Sequence, residues 1–292
     1  MTGIDSLLQA AAEAALDDSA TPAERAQMLM EIAMGLQRRP KTPEHLRSAV
    51  GLYDQALDLC PAEDALLRAR IAARRATALQ GVPEEGNACI QEAHTALQAA
   101  LPVLQRLGTA AEVAEAEMNL GLCLHYLGRI REAIGAYQRA LRTFDAKRHP
   151  AEFAILQSNL ATAFLAVRSP LSEALAVQAF ETGLKAVNLV DYPAEYAMLQ
   201  NNLGNALQSV ASSHAAENHA RALAAYDEAL KVRTRSARPV EYANTLANRA
   251  NCLWTLGRLD EAKASYAEAR ELFMAHGELD KARAVTEAMG GA

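Results

Sequence analysis

One segment of this chain occurs three times with the same internal spacing. Pro-Ala-Glu-Phe-Ala begins at Pro150, Pro-Ala-Glu-Tyr-Ala at Pro193, and Pro-Val-Glu-Tyr-Ala at Pro239. Nine residues after each proline stands an asparagine. Self-similarity with a period of about 40 residues is typical of a stacked array, in which each unit buries its apolar face only against its neighbours. The repeat therefore predicts an array, and such a chain usually binds something rather than transforms it.

The same spacing continues upstream in weaker form. Ala110 stands in the place of the proline, and Asn119 follows nine residues later. Pro22 and Pro61 begin two degenerate copies, of which the second carries Arg70 where later units carry asparagine. The sequence therefore predicts six units, which start near residues 22, 61, 110, 150, 193 and 239.

Each unit has the pattern of two helices. A proline followed by a glutamate suits a helix N-terminus, because the missing N–H needs no partner there and the carboxylate faces the positive end of the helix dipole. Leu120, Gly121 and Leu124 then recur at helical spacing in the third unit. The small residue of this trio, glycine or alanine in the other units, predicts close approach of a second helix.

The second helix of the third unit carries Ala133, Tyr137 and Ala140, and Gly128 precedes it. Here the chain resembles the tetratricopeptide repeat (TPR) family, whose pattern is a leucine-glycine pair, a small residue, and then alanine, an aromatic residue and alanine. The resemblance covers nearly the whole chain and is strongest from about 110 to 276. Successive units start 39 to 49 residues apart, whereas the usual TPR period is about 34. In this the chain is similar to the kinesin light chain-like branch and to repeats that accompany bacterial caspase-like domains.

The resemblance implies an all-α fold, a right-handed superhelical solenoid of about six TPR-like helix-turn-helix repeats with short capping helices. We expect a single domain over 1–292: an N-terminal capping helix in 1–21, two degenerate repeats in 22–109, four well-formed repeats in 110–276 and a C-terminal capping helix in 277–292. A content of 51% apolar and 5% aromatic residues suits close-packed helices. The alanine-rich N-terminal helix leaves apolar surface, which makes it the candidate for self-association.

Composition also limits the partners. A formal charge of −6 and a pI near 5.7 argue against nucleic acid or an anionic membrane surface, since both require a basic face. The N-terminus has no secretion signal, and no stretch of 18 apolar residues could span a bilayer, so we expect a cytoplasmic protein. The cysteines show no C-x-x-C spacing, and Cys123 and Cys252 are predicted to be small buried residues.

Nothing in the sequence predicts an enzyme or a cofactor. His214 and His219 are five residues apart, which does not place them on one helix face, so a solvated turn is favoured over a metal site. Motifs for nucleophilic, phosphoryl-transfer or zinc chemistry do not occur in the sequence. We therefore expect a non-catalytic protein that binds a protein or a peptide.

The resemblance implies that the first helix of each unit lines a concave groove, and that one asparagine per helix holds the backbone of an extended peptide. An asparagine amide offers both a donor and an acceptor, as a peptide group requires. The alternative is that these side chains bond a neighbouring helix and keep adjacent units in register. The asparagines in question are Asn119, Asn159, Asn202 and Asn248.

Further polar side chains lie on the same helix faces in the C-terminal half. They end at the only tryptophan, Trp254, which either anchors a partner or packs against the following helix. The others are Asn201, Asn205, Gln208, Asn244 and Asn251.

The N-terminal half carries arginines instead. Arg38, Arg70 and Arg74 are candidates to bind an acidic segment or the free C-terminus of a partner, because guanidinium forks suit carboxylates. The alternative is a solvated helix face.

Two classes of function follow. In the first, the protein is an adaptor or scaffold that captures a segment of another protein in its groove, to place an enzyme, assist maturation or hold a complex together. A peptide-sensing regulator is a variant of this class. In the second, it is an architectural subunit that self-associates or joins a complex through its ends and convex face.

Overall fold

The computed structural model describes residues 3–38, 42–83, 86–210 and 215–290. Within these ranges the chain forms fourteen α-helices and contains no strand, which confirms the all-α prediction. The chain divides into two compact units, Met1–Thr143 and Phe144–Ala292. Among the helices described, none is long and apolar enough to cross a membrane.

The first unit contains α1 to α7. Three helix pairs pack closely, α2 with α3, α4 with α5, and α6 with α7, and α1 packs on α2. Because short connections join the members of each pair, they run antiparallel. The bounds are α1 Gly3–Ala15, α2 Pro22–Arg38, α3 Pro43–Leu59, α4 Ala65–Leu79, α5 Ala88–Leu107, α6 Ala110–Tyr126 and α7 Ile130–Ala140.

The second unit contains α8 to α14 and is built in the same way. Its pairs are α8 with α9, α10 with α11, and α12 with α13, and α14 packs on α13. The bounds are α8 Pro150–Val167, α9 Pro170–Leu184, α10 Pro193–Ser209, α11 Ala215–Leu230, α12 Pro239–Thr255, α13 Leu259–Ala275 and α14 Leu279–Gly290.

Most first helices begin where the repeated proline predicts. At α6, where alanine replaces proline, the Thr109 side chain accepts from the backbone N–H of Glu112, and the Glu112 carboxylate accepts from the Thr109 N–H. This reciprocal cap satisfies two backbone donors that the first turn would leave unpaired. The helices that begin at the predicted residue are α2 at Pro22, α6 at Ala110, α8 at Pro150, α10 at Pro193 and α12 at Pro239.

The second repeat starts four residues later than predicted. Pro61 lies in a turn, and Asp64 caps α4 by accepting from the N–H of Leu67 at 3.0 Å. The helix therefore begins at Ala65, and the residue nine positions further is Arg74. Arg74, and not Arg70, occupies the place that asparagine holds in the later repeats.

The histidine-containing stretch also differs from the prediction. His214 lies outside the described residues, but Ala215–His219 form the first turns of α11 rather than a solvated turn. The His219 carbonyl accepts from the Cys252 Sγ at 3.1 Å, which places this turn against α12. Across the described ranges, no group of three or more His, Cys, Asp or Glu side chains could hold a metal ion.

The predicted close approach of paired helices is confirmed. A Cβ added to Gly121 would lie 2.5 Å from Cε1 of Tyr137, and one added to Gly204 would lie 2.6 Å from Cε1 of Tyr226. Real Cβ atoms do not approach other carbons so closely, so these positions exclude any side chain. Cys123 and Cys252 are fully buried free thiols, as expected for small core residues.

An ion pair between a buried carboxylate of α6 and an exposed arginine of α7 joins these two helices. Glu117 is 3% exposed, and Arg139 donates to its two carboxylate oxygens at 2.8 and 2.7 Å. We expect Arg139→Ala to lower the free energy of unfolding by about 1.5–3 kcal/mol, because the buried carboxylate loses its charged partner. Urea denaturation measures this loss.

Arg131 provides the control for this prediction. It lies on the same helix and is exposed, with no ion pair to any described side chain. Arg131→Ala should leave the free energy of unfolding within about 0.5 kcal/mol of the unmodified protein. Equal urea midpoints for the two variants would contradict the assigned role of Arg139.

Candidate binding face

Polar side chains follow the first helices of the second unit. In this unit α8 and α12 both contact α10, so the three helices form one layer. We call the polar side chains of this layer the polar stripe. Its members are Ser158 and Asn159 on α8, Asn201, Asn202, Asn205 and Gln208 on α10, and Asn244, Thr245, Asn248 and Asn251 on α12.

Three of the four repeated asparagines bond to the preceding first helix. In the first unit the Asn119 Nδ2 donates to Thr77 Oγ1 at 3.0 Å. In the second unit the Asn202 Nδ2 donates to Ser158 Oγ at 3.2 Å, and the Asn248 Nδ2 donates to Asn201 Oδ1 at 3.4 Å. These bonds support the alternative that Asn119, Asn202 and Asn248 hold neighbouring repeats in register. Asn159 makes no hydrogen bond to any other described side chain.

Asn201 is the centre of a hydrogen-bonded network that links all three helices of the layer. This side chain is 7% exposed, and its Oδ1 accepts from Thr245 Oγ1 at 3.2 Å as well as from Asn248. Its Nδ2 donates to Asn202 Oδ1 at 3.1 Å, and Asn202 continues to Ser158. The Thr245 hydroxyl also has an acceptor within its own helix, the Glu241 carbonyl at 2.9 Å. The remaining side-chain bonds of the network join α8, α10 and α12.

Asn205 and Asn251 differ from the repeated asparagines because they are exposed. Tyr226 donates its hydroxyl to Asn205 Oδ1 at 2.7 Å, and Tyr266 donates its hydroxyl to Asn251 Oδ1. Burial raises the pKa of both phenols, so both stay protonated at neutral pH. The side-chain oxygen of each asparagine thus accepts a hydrogen bond from a tyrosine, while its amide nitrogen makes no hydrogen bond to the rest of the described chain.

Gln208 completes this arrangement. Its Nε2 donates to the Tyr226 hydroxyl and to the backbone carbonyl of Asn248 at 3.3 Å. In the first unit Gln80 donates in the same way to the Asn119 carbonyl, at 2.7 Å. Both glutamines thus join one first helix to the next, whereas the sequence analysis listed Gln208 as a partner-binding residue and did not single out Gln80.

Asn244 and Trp254 are both half-buried. Asn244 makes no hydrogen bond within the described ranges. Trp254 packs against the hydrophobic core of the second unit. Packing of this kind is the alternative stated for Trp254, although part of the ring stays accessible.

Two of the three arginines that were predicted to bind an acidic partner pair instead with glutamates of the same unit. Arg70 Nε lies 2.5 Å from Glu112 Oε1, and Arg74 Nη2 lies 2.9 Å from Glu115 Oε2. The hydrogen bond from Arg70 is the main cause that lowers the pKa of Glu112, so this carboxylate is ionised at neutral pH. Arg38 is exposed at the end of α2. Arg70 and Arg74 therefore join α4 to α6.

Comparison with known proteins agrees with the repeated helix pairs of this structure. Residues 243–272 match the family model described as the tetratricopeptide repeat. No curated protein matches the chain.

Three solved structures share the fold across most of the chain. BtubC (BKLC) from P. vanneervenii is 18% identical, with coverage of 93% of this chain and 92% of that one and a TM-score of 0.57. A Rap protein complexed with Competence and Sporulation Factor is 12% identical, covers 99% and 78%, and has a TM-score of 0.62. The TPR-like repeats of a putative kinesin light chain from Podospora anserina are 19% identical, cover 74% and 98%, and give a TM-score of 0.52. The tetratricopeptide repeat assignment is therefore supported.

Proposed function

We propose that the protein is a non-catalytic adaptor that binds a segment of a partner polypeptide across the polar stripe of its second unit. The observation that carries this proposal is the pair of exposed amides at Asn205 and Asn251, each held by a buried tyrosine hydroxyl. A donor that is fixed before binding loses little conformational freedom when a ligand arrives. Such donors suit the carbonyl oxygens of an extended chain.

The repeat spacing supports a polypeptide as the ligand. Asn205 and Asn251 each stand twelve residues after the proline that begins their helix, so the two donors recur in equivalent places on neighbouring helices. Asn159 and Asn244 add to the same layer two amides that make no hydrogen bond to the part of the chain that the structure describes. The fold adds weight, since TPR scaffolds generally bind proteins, and one structure of similar fold is a complex with a factor. On this proposal the adaptor acts in the cytoplasm and assists assembly or maturation of a complex.

An architectural subunit is the second candidate. It is favoured by the hydrogen bonds of Asn119, Asn202 and Asn248, which serve contacts between repeats. On α1 and just after it, Leu8 and Leu16 are exposed, Leu16 by 78%, and these apolar side chains would support self-association through the N-terminal helix. A monomeric mass in solution at micromolar concentration would exclude self-association through this helix.

Photo-crosslinking tests the adaptor proposal. We expect p-benzoylphenylalanine in place of Asn205 or Asn251 to crosslink a partner polypeptide in cells of the source organism. The same group in place of Lys263, an exposed residue of the second helix α13, should not crosslink that partner. Crosslinking from Lys263 but from neither asparagine would contradict the proposal and favour the architectural subunit.

A further inference from the structure

The helix α2 carries a polar face that no other described helix covers. This face lines a groove of about 440 Å³, which the turn between α1 and α2 borders at Asp17. The buried residues of α2 lie elsewhere on the helix, so the face is accessible to a ligand. Its members are all exposed, and they are Glu24, Gln27, Met28 and Glu31.

The corresponding face of α6 is covered by α4. Both are first helices of their repeats, and the contact between them consists of two ion pairs and a hydrogen bond. Because residue numbers rise together along the two helices, α4 and α6 run parallel. The side chains that α4 contributes stand at positions i, i+4 and i+7, which share one side of a helix. The bonded residues are Arg70 with Glu112, Arg74 with Glu115 and Thr77 with Asn119.

The free face of α2 begins in the same way as the covered face of α6. Each helix has a glutamate two residues after its first residue, Glu24 in α2 and Glu112 in α6. Both glutamates accept from the backbone N–H of the preceding threonine, at 2.7 Å from Thr21 and 2.8 Å from Thr109. Glu112 has Arg70 as a further partner, whereas Glu24 makes no ion pair with any described side chain. The α2 face thus lacks the cation that the equivalent site of α6 contains.

The match continues along the helix. Gln27 and Glu31 stand at the places that Glu115 and Asn119 hold in α6. Gln27 donates its Nε2 to Glu31 Oε1 at 3.2 Å, so its own Oε1 remains an acceptor, and Glu31 makes no ion pair within the described ranges. Met28 lies beside them, 41% exposed, where α6 has an alanine. The face therefore offers oxygen acceptors in the register that α4 recognises on α6, together with an apolar side chain.

We infer that this face of α2 binds a helix of a partner protein, which lies parallel to α2 and carries cationic side chains at i, i+4 and i+7. The first cation pairs with Glu24, the second donates to Gln27 and the third pairs with Glu31. A small residue at i+3 lies against Met28, as Ala73 does on α4. The surface belongs to the first unit, whereas the polar stripe belongs to the second, so the inference goes beyond the proposed function.

A second copy of this chain does not supply these cations. Two copies that met through the same face would bring their carboxylates together, which is unfavourable. The last helix, α14, carries Lys281 and Arg283, but residues two apart point to different sides of a helix. Lys281 also pairs with Glu278 at 3.0 Å. Charge complementarity therefore favours a different, basic protein as the occupant.

Methyl NMR on the full chain, labelled at methionine, tests this surface because Met28 lies within it. The probe is an acetylated and amidated alanine-based helix of about 20 residues with arginines at i, i+4 and i+7. The matched peptide has the same composition, with its arginines spread around the helix. We expect the probe to shift the Met28 resonance in a saturable way and to leave the exposed Met274 of the second unit unchanged. The matched peptide should bind at least about three-fold more weakly, because its cations cannot face α2 together.

Two double variants locate the charge. Glu24→Gln with Glu31→Gln should weaken binding of the probe by about five-fold, since two exposed ion pairs are lost while glutamine still caps the helix. Asp58→Asn with Glu63→Gln is the matched control, because it removes the same charge from exposed residues outside the face. It should leave the affinity within about two-fold, since salt screens distant charges. If the first variant fails to fold, the comparison of the two peptides on the unmodified protein still decides.

Four results would overturn the inference. They are equal affinity of the two peptides, full affinity in the Glu24 and Glu31 variant, no shift of Met28 at millimolar probe, and a shift of Met28 when the protein alone is concentrated. The last result would identify a second copy as the occupant. None of them bears on the adaptor function, which crosslinking from positions 205 and 251 tests separately.

Discussion

Replacing Gly204 by alanine is expected to destabilise the protein by about 1–3 kcal/mol. The added Cβ would lie 2.6 Å from Cε1 and 2.7 Å from Cζ of Tyr226. That ring cannot retreat freely, because it is fully buried and its hydroxyl bonds both Asn205 and Gln208. Either α11 must shift or the hydrogen bonds must break. Chemical denaturation, followed by the loss of helical circular dichroism, measures the effect.

Gly51 is the matched control for this prediction. It lies within α3, and nothing would approach a Cβ there within 4 Å. Gly51→Ala should therefore raise the free energy of unfolding by about 0.5–1 kcal/mol through helix propensity alone. If Gly204→Ala stabilised the protein as much as Gly51→Ala does, the close approach of α10 and α11 would be contradicted.

Replacing Asn201 by alanine is expected to cost about 2 kcal/mol, since buried groups lose their partners. Asn201 Oδ1 accepts from Thr245 and Asn248, and its Nδ2 donates to Asn202. Thr245 is fully buried but keeps the Glu241 carbonyl as an acceptor at 2.9 Å, so the expected loss comes from Asn202 and Asn248, whose side chains lose their hydrogen bonds to Asn201. Thermal and urea unfolding should both report the loss, and exchange of amide protons should increase along α10 and α12.

Asn244 provides the comparison for Asn201. It is half-buried on α12 and makes no hydrogen bond to the described part of the chain, so Asn244→Ala should change stability by no more than about 0.5 kcal/mol. Similar losses for Asn201→Ala and Asn244→Ala would show that the network does not hold the layer together.

The sequence was sufficient to predict the helices because their signals are local. A proline at the first helical position and a glutamate two residues later predict the starts of α8, α10 and α12, and all three begin there. The same signal misplaced α4, because Pro61 and Glu63 belong to a turn that Asp64 terminates. Proline favours both settings, so its presence alone does not distinguish them.

Which neighbouring helix each asparagine side chain bonds could not be predicted in the same way. Helical spacing places Asn202 and Asn205 on one face of α10, but it does not say which of them reaches α8. That depends on the offset between neighbouring helices, which the connecting segments and the buried side chains determine. Asn202 reaches Ser158, whereas Asn205 bonds Tyr226 of the paired helix. The sequence analysis therefore left binding and register open for Asn202 and listed Asn205 only as a binding residue, and the packing of the helices separates the two.

Partner capture by a variant that removes only the exposed donors tests the central claim most directly. Asn205→Asp with Asn251→Asp keeps the oxygen that accepts from each tyrosine and replaces each amide nitrogen by oxygen. Gln178→Glu with Asn218→Asp adds the same charge on the second helices α9 and α11. We predict that both variants melt as the unmodified protein does, and that only the first loses a partner captured from the source organism. Retention of that partner by the Asn205 and Asn251 variant would contradict binding across the polar stripe.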